Sequence, residues 1–466
     1  MRSIILKRLI KISVFAFLCL CFLGFAKVQA KAGELHMHTI NIGHGDAILF
    51  ESQGHYMLVD SGLKDERETL LAYLEKNITG TTIDYAVASH ADKDHIGGFY
   101  YVFQKYDVKN LIYSEPMKKH FDEEGERTSF GRFEDAIEDE AKEGLVYGNA
   151  YEGQTFSFGD ATVKVIYDGR QGTTFNESSI VMRVTCGKKS ILMTGDLPTT
   201  METKLIDKGY KFGADILKVA HHGAAASTST EFLDKVDPEY AVIPNGIVDG
   251  VYLPKDSVLQ RLALKFIKTH LVTEGDIVMN IKDDVISTDH KENTKFQCLS
   301  RGQIVVNGSK FYASNTIGKK VTPSIHVYAN GELLSSSNYT VSYTGTTHTG
   351  YGTIKVTGNK KKYVGTLSTT FSILPRQSKI WKSSRTKNKK KITIWWSTQN
   401  YASGYTIWYS SDKNMVKDSK KITIKGGKNS KKTFKGLKKK KHYYFKIQAF
   451  TNGIGKGKWT AKKKIK

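Results

Sequence analysis

The sequence predicts a mixed α/β domain followed by two all-β sandwich modules, and three observations carry that reading. From His36 to about Asp289, apolar runs of strand length alternate with runs of helix length. After about Gln297 the helical patterns stop, and short β-branched and aromatic runs alternate with turn residues. Several strands of the first region end in His or Asp, side chains that bind divalent metals. With roughly 150 residues per domain, a length of 466 suits about three folded units.

Residues 1–30 read as a signal peptide. Arg2, Lys7, Arg8 and Lys11 form a basic front, Ile12 to Phe25 is apolar, and Val28-Gln29-Ala30 suits a signal peptidase. No later segment has the length to cross a bilayer. The expectation is a secreted or cell-surface protein with no transmembrane anchor after signal cleavage. Cys19 and Cys21 leave with the signal, which leaves Cys186 and Cys298 and no disulfide framework.

Residues 31–296 form the α/β domain. Met37–Ile42, Ala47–Glu51 and Tyr56–Val59 read as strands between Gly turns. Glu66–Lys76, Glu134–Glu143 and Ser257–Lys268 read as helices. Ile83–Ala88, Val163–Ile166, Ile180–Val184, Ile191–Thr194, Ile216–Ala220 and Tyr240–Ile243 read as buried strands. In residues 297–375, strands are expected at Ser324–Tyr328, Tyr339–Tyr343, Gly352–Thr357 and Thr369–Leu374. In residues 376–466, Ile392, Ile394 and Trp396 alternate, as do Tyr405, Ile407 and Tyr409, and Tyr443, Phe445, Ile447 and Ala449. Leu437 and Tyr443 have the spacing of a tyrosine corner. This last unit resembles a bacterial fibronectin type III domain, and the one before it an Ig-like surface module.

Charge is divided unevenly. Residues 31–290 carry 27 basic and 42 acidic side chains, whereas residues 291–466 carry 38 basic and 4 acidic ones. The basic tail should be drawn to polyanions such as cell-wall polymer or nucleic acid, or it is a solvated lysine-rich surface. All five Trp lie in the last unit, where packing beneath Lys stems accounts for them more simply than a carbohydrate platform does.

The chemistry concentrates in Ala88-Ser89-His90-Ala91-Asp92-Lys93-Asp94-His95-Ile96-Gly97-Gly98. Two imidazoles and two carboxylates within six positions, after a buried strand and before a helix start, suit a pair of divalent ions better than one. Other strands end at Asp60-Ser61-Gly62, Gly195-Asp196 and His221-His222-Gly223. A lone Asp at a strand end is usually a turn residue, but four metal-competent ends form a pattern.

In order, Gly43-His44-Gly45-Asp46, Asp60-Ser61-Gly62, His90-x-Asp92-x-Asp94-His95, Asn176-x-Ser178-Ser179, Thr194-Gly195-Asp196 and Val219-Ala220-His221-His222-Gly223 resemble the metallo-β-lactamase superfamily. Within it they are most similar to the hydrolase domain of ComEC-type competence proteins, over about residues 35–290. The resemblance implies an αββα sandwich with two divalent ions, Zn or Mn. It implies that His90 and Asp92 hold one ion, Asp94 and His95 the second, and that Asp196 bridges them. The His221-His222 pair would add a ligand or polarise the scissile group, so Asp94 and His222 are the expected catalytic pair and His221 a metal ligand. Asp60 would orient a ligand histidine from behind, while Asn176 and Ser178 would bind substrate or brace the loop. His44 stands where the competence relatives have Gln and receives no role.

Asp92 replaces the His of the wider superfamily, and an oxygen-rich site shifts preference towards Mn²⁺. The relatives have a histidine-rich segment where this chain reads Tyr252-Leu253-Pro254-Lys255-Asp256. Two functions therefore compete. One is an exported phosphodiesterase or nuclease, in which a hydroxide between two metals attacks extracellular DNA or a teichoic-acid-like phosphodiester. The other is a surface polyanion-binding protein with a degenerate hydrolase domain. Hydrolysis of β-lactams or thioesters suits the fold but not these motifs.

Overall fold

The computed structural model describes residues 33–114, 129–248, 250–314, 316 and 318–466. The signal-peptide reading, with Cys19 and Cys21, lies outside the described residues. The chain divides into two compact units between Asn293 and Thr294.

The first unit is an αββα sandwich. Its first sheet runs β17 (Val285–Ser287), β16 (Ile277–Lys282), β1 (Glu34–Thr39), β2 (Ile48–Ser52), β3 (His55–Val59), β4 (Thr82–Ala88), β5 (Asp107–Tyr113) and β6 (Val146–Asn149). The second runs β15 (Lys268–Leu271), β12 (Tyr240–Ile243), β11 (Ile216–Lys218), β10 (Lys189–Met193), β9 (Val181–Cys186), β8 (Ala161–Tyr167) and β7 (Thr155–Phe158). A short pair, β13 (Ile247–Val248) and β14 (Val251–Tyr252), stands apart.

Period-two alternation divides the side chains between layers. Ile48, Phe50, Met57, Val59 and Val87 meet Val163, Met182, Val184, Ile191 and Met193 between the sheets. Their neighbours Leu49, Leu58, Ala86 and Ala88 face outward and pack beneath Leu70, Leu74, Phe99, Phe103 and Phe133. These cover residues come from the helices Arg67–Asn77, Phe99–Phe103 and Ser129–Glu143. The second sheet's other helices, Thr199–Asp207, Thr230–Val236 and Asp256–Leu264, bury Met201, Leu205, Phe232, Leu233, Val258 and Leu262.

Most expected strands lie within a residue or two of their places. One helix is shorter than its pattern: the run Ser257–Lys268 stops at Leu264. Phe266 takes φ +60°, which breaks the helical path, and Lys268 already pairs with Tyr240 in a parallel strand. The helix after the ligand loop also starts earlier than Gly97-Gly98, at Lys93 with Asp92 as its N-cap residue.

The second unit is all-β. Residues 297–375 form a three-stranded and a four-stranded sheet around Val327, Ile354, Val356, Phe371 and Ile373, with a short parallel pair between Gln297–Cys298 and Tyr363–Val364. Residues 376–466 form a three-stranded sheet (Ile380–Arg385, Ile392–Trp396, Lys431–Phe434) and a five-stranded one built on Gly404–Ser410, Lys420–Lys425 and Tyr443–Thr451. Trp396, Tyr405, Ile407, Phe445 and Ile447 fill the space between them. The Tyr443 hydroxyl accepts from the Lys438 amide at 3.1 Å, so the corner expected from Leu437 and Tyr443 is formed. Cys186 and Cys298 are both free thiols.

Candidate metal centre

Loops from both sheets converge at one edge of the sandwich. β3 and β4 are parallel, with Val59 opposite Val87, so Asp60 and Ser89 leave the first sheet side by side. β10 and β11 are likewise parallel, and the His221 amide donates to the Gly195 carbonyl at 3.3 Å, which sets Asp196 beside the histidine pair. Consecutive φ values of +51° at His221 and His222 turn the chain sharply there. The Gly43–Asp46 loop closes the site. Gly45 has φ +103°, and a Cβ there would lie 2.2 Å from the Asp94 carbonyl oxygen.

Hydrogen bonds behind the site fix which nitrogen of each histidine faces it. His95 Nδ1 donates to Asp60 Oδ2 at 2.9 Å. Ser89 Oγ donates to the same oxygen at 2.7 Å and therefore accepts from His90 Nδ1 at 3.0 Å. His222 Nδ1 donates to the Pro244 carbonyl at 2.9 Å. Among the described residues, the Nε2 atoms of His90, His95 and His222 are left buried without hydrogen-bond partners. They lie 4.0, 3.4 and 3.4 Å from Asp196 Oδ2, which has no proton to share with them as a carboxylate.

Around this centre Asp92 Oδ2 lies 3.2 Å from His90 Nε2 and is one-third exposed, so that side opens to solvent. Asp94 Oδ2 lies 3.2 Å from His222 Nε2 and 2.9 Å from His44 Nε2. His221 Nε2 is 3.8 Å from Asp196 Oδ2, and its Nδ1 meets the Asn176 amide at 3.4 Å. Burial alone would raise the Asp196 carboxyl, but His222 and His95 bring it well below the usual range. Burial would lower His95 and His222, and Asp196 foremost raises both well above the usual imidazole value. Protons or cations are thus drawn to the same positions.

The metallo-beta-lactamase superfamily pattern matches residues 40–246, the segment that supplies this whole cluster. The chain carries a metallo-β-lactamase superfamily domain. Recombination protein 2 of Haemophilus influenzae is 27% identical over 288 residues, 60% of this chain and 33% of that protein. Competence protein ComA of Neisseria gonorrhoeae is 27% identical over 255 residues, 53% of this chain and 33% of that protein. ComE operon protein 3 of Bacillus subtilis is 29% identical over 181 residues, 39% of this chain and 22% of that protein. The chain therefore spans a third or less of the curated relatives it matches. Among solved structures, the metallo-beta-lactamase fold protein YhfI from Bacillus subtilis is 15% identical, with TM-score 0.34, over 51% of this chain and 95% of that one.

The metallo-β-lactamase domain gathers His90, Asp92, Asp94, His95, Asp196, His221 and His222 around one space, with Asp60 directly behind His95. His222 is buried, its Nε2 3.2 Å from Asp94 Oδ2 and 3.4 Å from Asp196 Oδ2, whereas His221 forms the solvent edge with one-third of its side chain exposed. Ser178 donates to the Thr174 carbonyl at 2.9 Å and so braces its own loop. Two sets of donors lie close enough together to hold divalent ions: His90, His95 and Asp196, whose two Nε2 atoms and Asp196 Oδ1 are buried and unpartnered among the described residues, and His44, Asp94 and His222, of which His222 Nε2 is. A third grouping, Asp46 with His95 and His222, is already served by a cation of the protein itself. Lys218, fully buried, makes a short ion pair to Asp46 Oδ2, donates to the Gly195 carbonyl at 2.7 Å, and lies 3.6 Å from Asp196 Oδ1.

Asp46, Lys218 and His44 were not assigned from the sequence. A signal for Lys218 exists: it is the one cation inside the apolar run Ile216 to Ala220, and a buried lysine needs a partner. Asp46 offers no such signal, because an Asp after Gly-His-Gly reads as an ordinary turn.

Proposed function

We propose that the first unit is a metal-dependent phosphodiesterase of an exported protein, acting on extracellular DNA or a cell-envelope phosphodiester. The observation that supports this most is the convergence of three bare imidazole Nε2 atoms on the Asp196 carboxylate. When bound, two divalent ions there would acidify water and neutralise charge growing on a phosphoryl group. The protein's part is to hold the donors. Asp60 keeps His95 and, through Ser89, His90 in one tautomer, Pro244 does the same for His222, and Lys218 fixes Asp196 against Asp46. The neighbouring hydroxyls are spent on this scaffold: Ser89 serves Asp60, and Ser179 Oγ accepts from the Asp196 amide at 2.9 Å. Attack by water rather than by a protein nucleophile follows from that arrangement. Similarity to competence proteins favours a nucleic-acid phosphodiester among the candidates.

The competing reading, a polyanion-binding protein with an inactive hydrolase domain, draws on the stretch Tyr252 to Asp256, which has no histidine. One comparison separates the two. The chain and its His90→Ala, Asp94→Ala variant are assayed for metal content and for Mn²⁺- or Zn²⁺-dependent cleavage of bis-p-nitrophenyl phosphate and single-stranded DNA. About two ions per chain and cleavage lost in the variant are expected. Absence of bound metal with equal background rates in both proteins would sink the enzyme reading.

A further inference from the structure

The terminal sandwich carries charge far beyond what solubility asks of a small domain. Residues 376–466 contain 28 Lys and Arg against 2 Asp and no Glu. A net charge of roughly 2–8 keeps a small domain soluble, and charge beyond that repels itself. The two acids do little to offset it. Asp412 accepts from the Asn414, Val416 and Lys417 amides at 3.1, 3.0 and 3.0 Å, and Asp418 accepts from Ser411 Oγ at 3.0 Å.

The lysines are also ordered. On the outer face of the five-stranded sheet, Trp408 stands in register between Lys421 on one neighbouring strand and Lys446 on the other. Their Nζ atoms lie 4.9 and 5.6 Å from the indole centroid. On the three-stranded sheet, Trp395 stands in register between Lys382 and Lys431, with Lys382 Nζ 5.3 Å from its ring. Strand spacing puts the two lysine backbones of each row about 10 Å apart. A ring whose face holds an ammonium cannot stack on a nucleobase, which is how single-stranded nucleic-acid modules gain much of their affinity. What each row offers outward is fixed positive charge, and an ammonium binds phosphate as a point charge.

We infer that the terminal sandwich docks a flexible, base-free phosphodiester polymer, a teichoic-acid-like chain that wraps it, through the Lys-Trp-Lys rows on the outer faces of its two sheets. The inference stands apart from the chemistry proposed for the first unit. The partner is chosen by charge complementarity and by the capped aromatic faces, which favour a polymer that needs no stacking.

The test uses the full chain with poly(glycerol phosphate), poly(dT), duplex DNA and a neutral glucan as probes, at about 50–200 mM salt. Poly(glycerol phosphate) is expected to bind at least as tightly as either DNA of equal charge, and the glucan not at all. Replacing Lys382, Lys421, Lys431 and Lys446 by Gln should flatten the plot of log affinity against log salt by about 0.7 per contact, or roughly 3 in all. Arg at the same four positions should restore it, which a merely structural role for the lysines would not require. An unchanged slope in the Gln variant with a native circular dichroism spectrum would overturn the inference. So would tighter binding of either DNA. Where the DNA is poly(dT) and Trp381→Ala weakens it, the surface is a nucleic-acid one, since the Trp381 ring is 57% exposed.

Discussion

At the scale of single residues, the least expected feature is a fully buried lysine at the heart of an acidic site. Burial would lower the Lys218 ammonium, but Asp46 and then Asp196 raise it above its ordinary value, so it stays charged. Asp46 is held below the usual carboxylate range chiefly by that ammonium, against its own burial. Breaking a buried pair leaves an uncompensated charge, so Lys218→Met should cost about 3–5 kcal/mol in denaturant unfolding. Adding Asp46→Asn should recover most of that loss while weakening metal binding by about 10- to 100-fold, because Asp46 Oδ1 sits 3.3 Å from His222 Nδ1. Equal stability of wild type and Lys218→Met would rule the ion pair out as a structural element. The gathering of these His and Asp side chains was legible in the sequence because they crowd into one loop and end successive strands. Lys218 and Asp46 were not, because what makes them unusual is burial, and burial comes from the docking of two sheets that are distant in sequence. His44 was passed over since a single histidine in a glycine turn carries no geometry until its partner Asp94 is placed beside it.

At the scale of elements, the site depends on loops that approach each other's backbone more closely than a side chain allows. Gly45 presses on the Asp94 carbonyl, and the Asp46 amide donates to that same oxygen at 3.1 Å. On the far side, a Cβ at Gly246 would lie 1.7 Å from the Gly43 carbonyl oxygen. The first loop is therefore clamped between the ligand helix and the turn that leads into β13. Gly45→Ala should lower stability by about 1–3 kcal/mol, from strain at a positive φ and displacement of Asp94. A metal titration should show the matching loss of affinity, and unaltered titration and melting curves would show that the loop yields freely. The strands themselves were readable from apolar alternation. The short helices were not, since a four-residue helix such as Lys93–Ile96 has too few turns to show a period. The over-long helix at Ser257 shows the same limit in reverse: apolar spacing continued past Leu264, and only the φ of Phe266 reveals the break.

At the scale of the whole molecule, two compact units with opposite charge balance are joined at Asn293 and Thr294. Ligands that bind only the folded form stabilise it by mass action. Removing divalent ions should therefore lower the melting temperature of the first unit by about 6–16 °C, given roughly 3–4 kcal/mol of linkage and 2–4 °C per kcal/mol. The transition of the second unit, which contributes none of the gathered donors, should stay in place. Differential scanning calorimetry with and without chelator reads both at once, and a shift shared equally by the two transitions would contradict this division. The same division bears on the order of folding. Donors for one space come from positions as far apart as His44 and His222, on loops of two different sheets. Long chain segments must close before any three of them meet, so contacts of this kind form late. Metal occupancy in a newly made chain would then report that both sheets have docked, and the ion would seal a finished sandwich rather than template it.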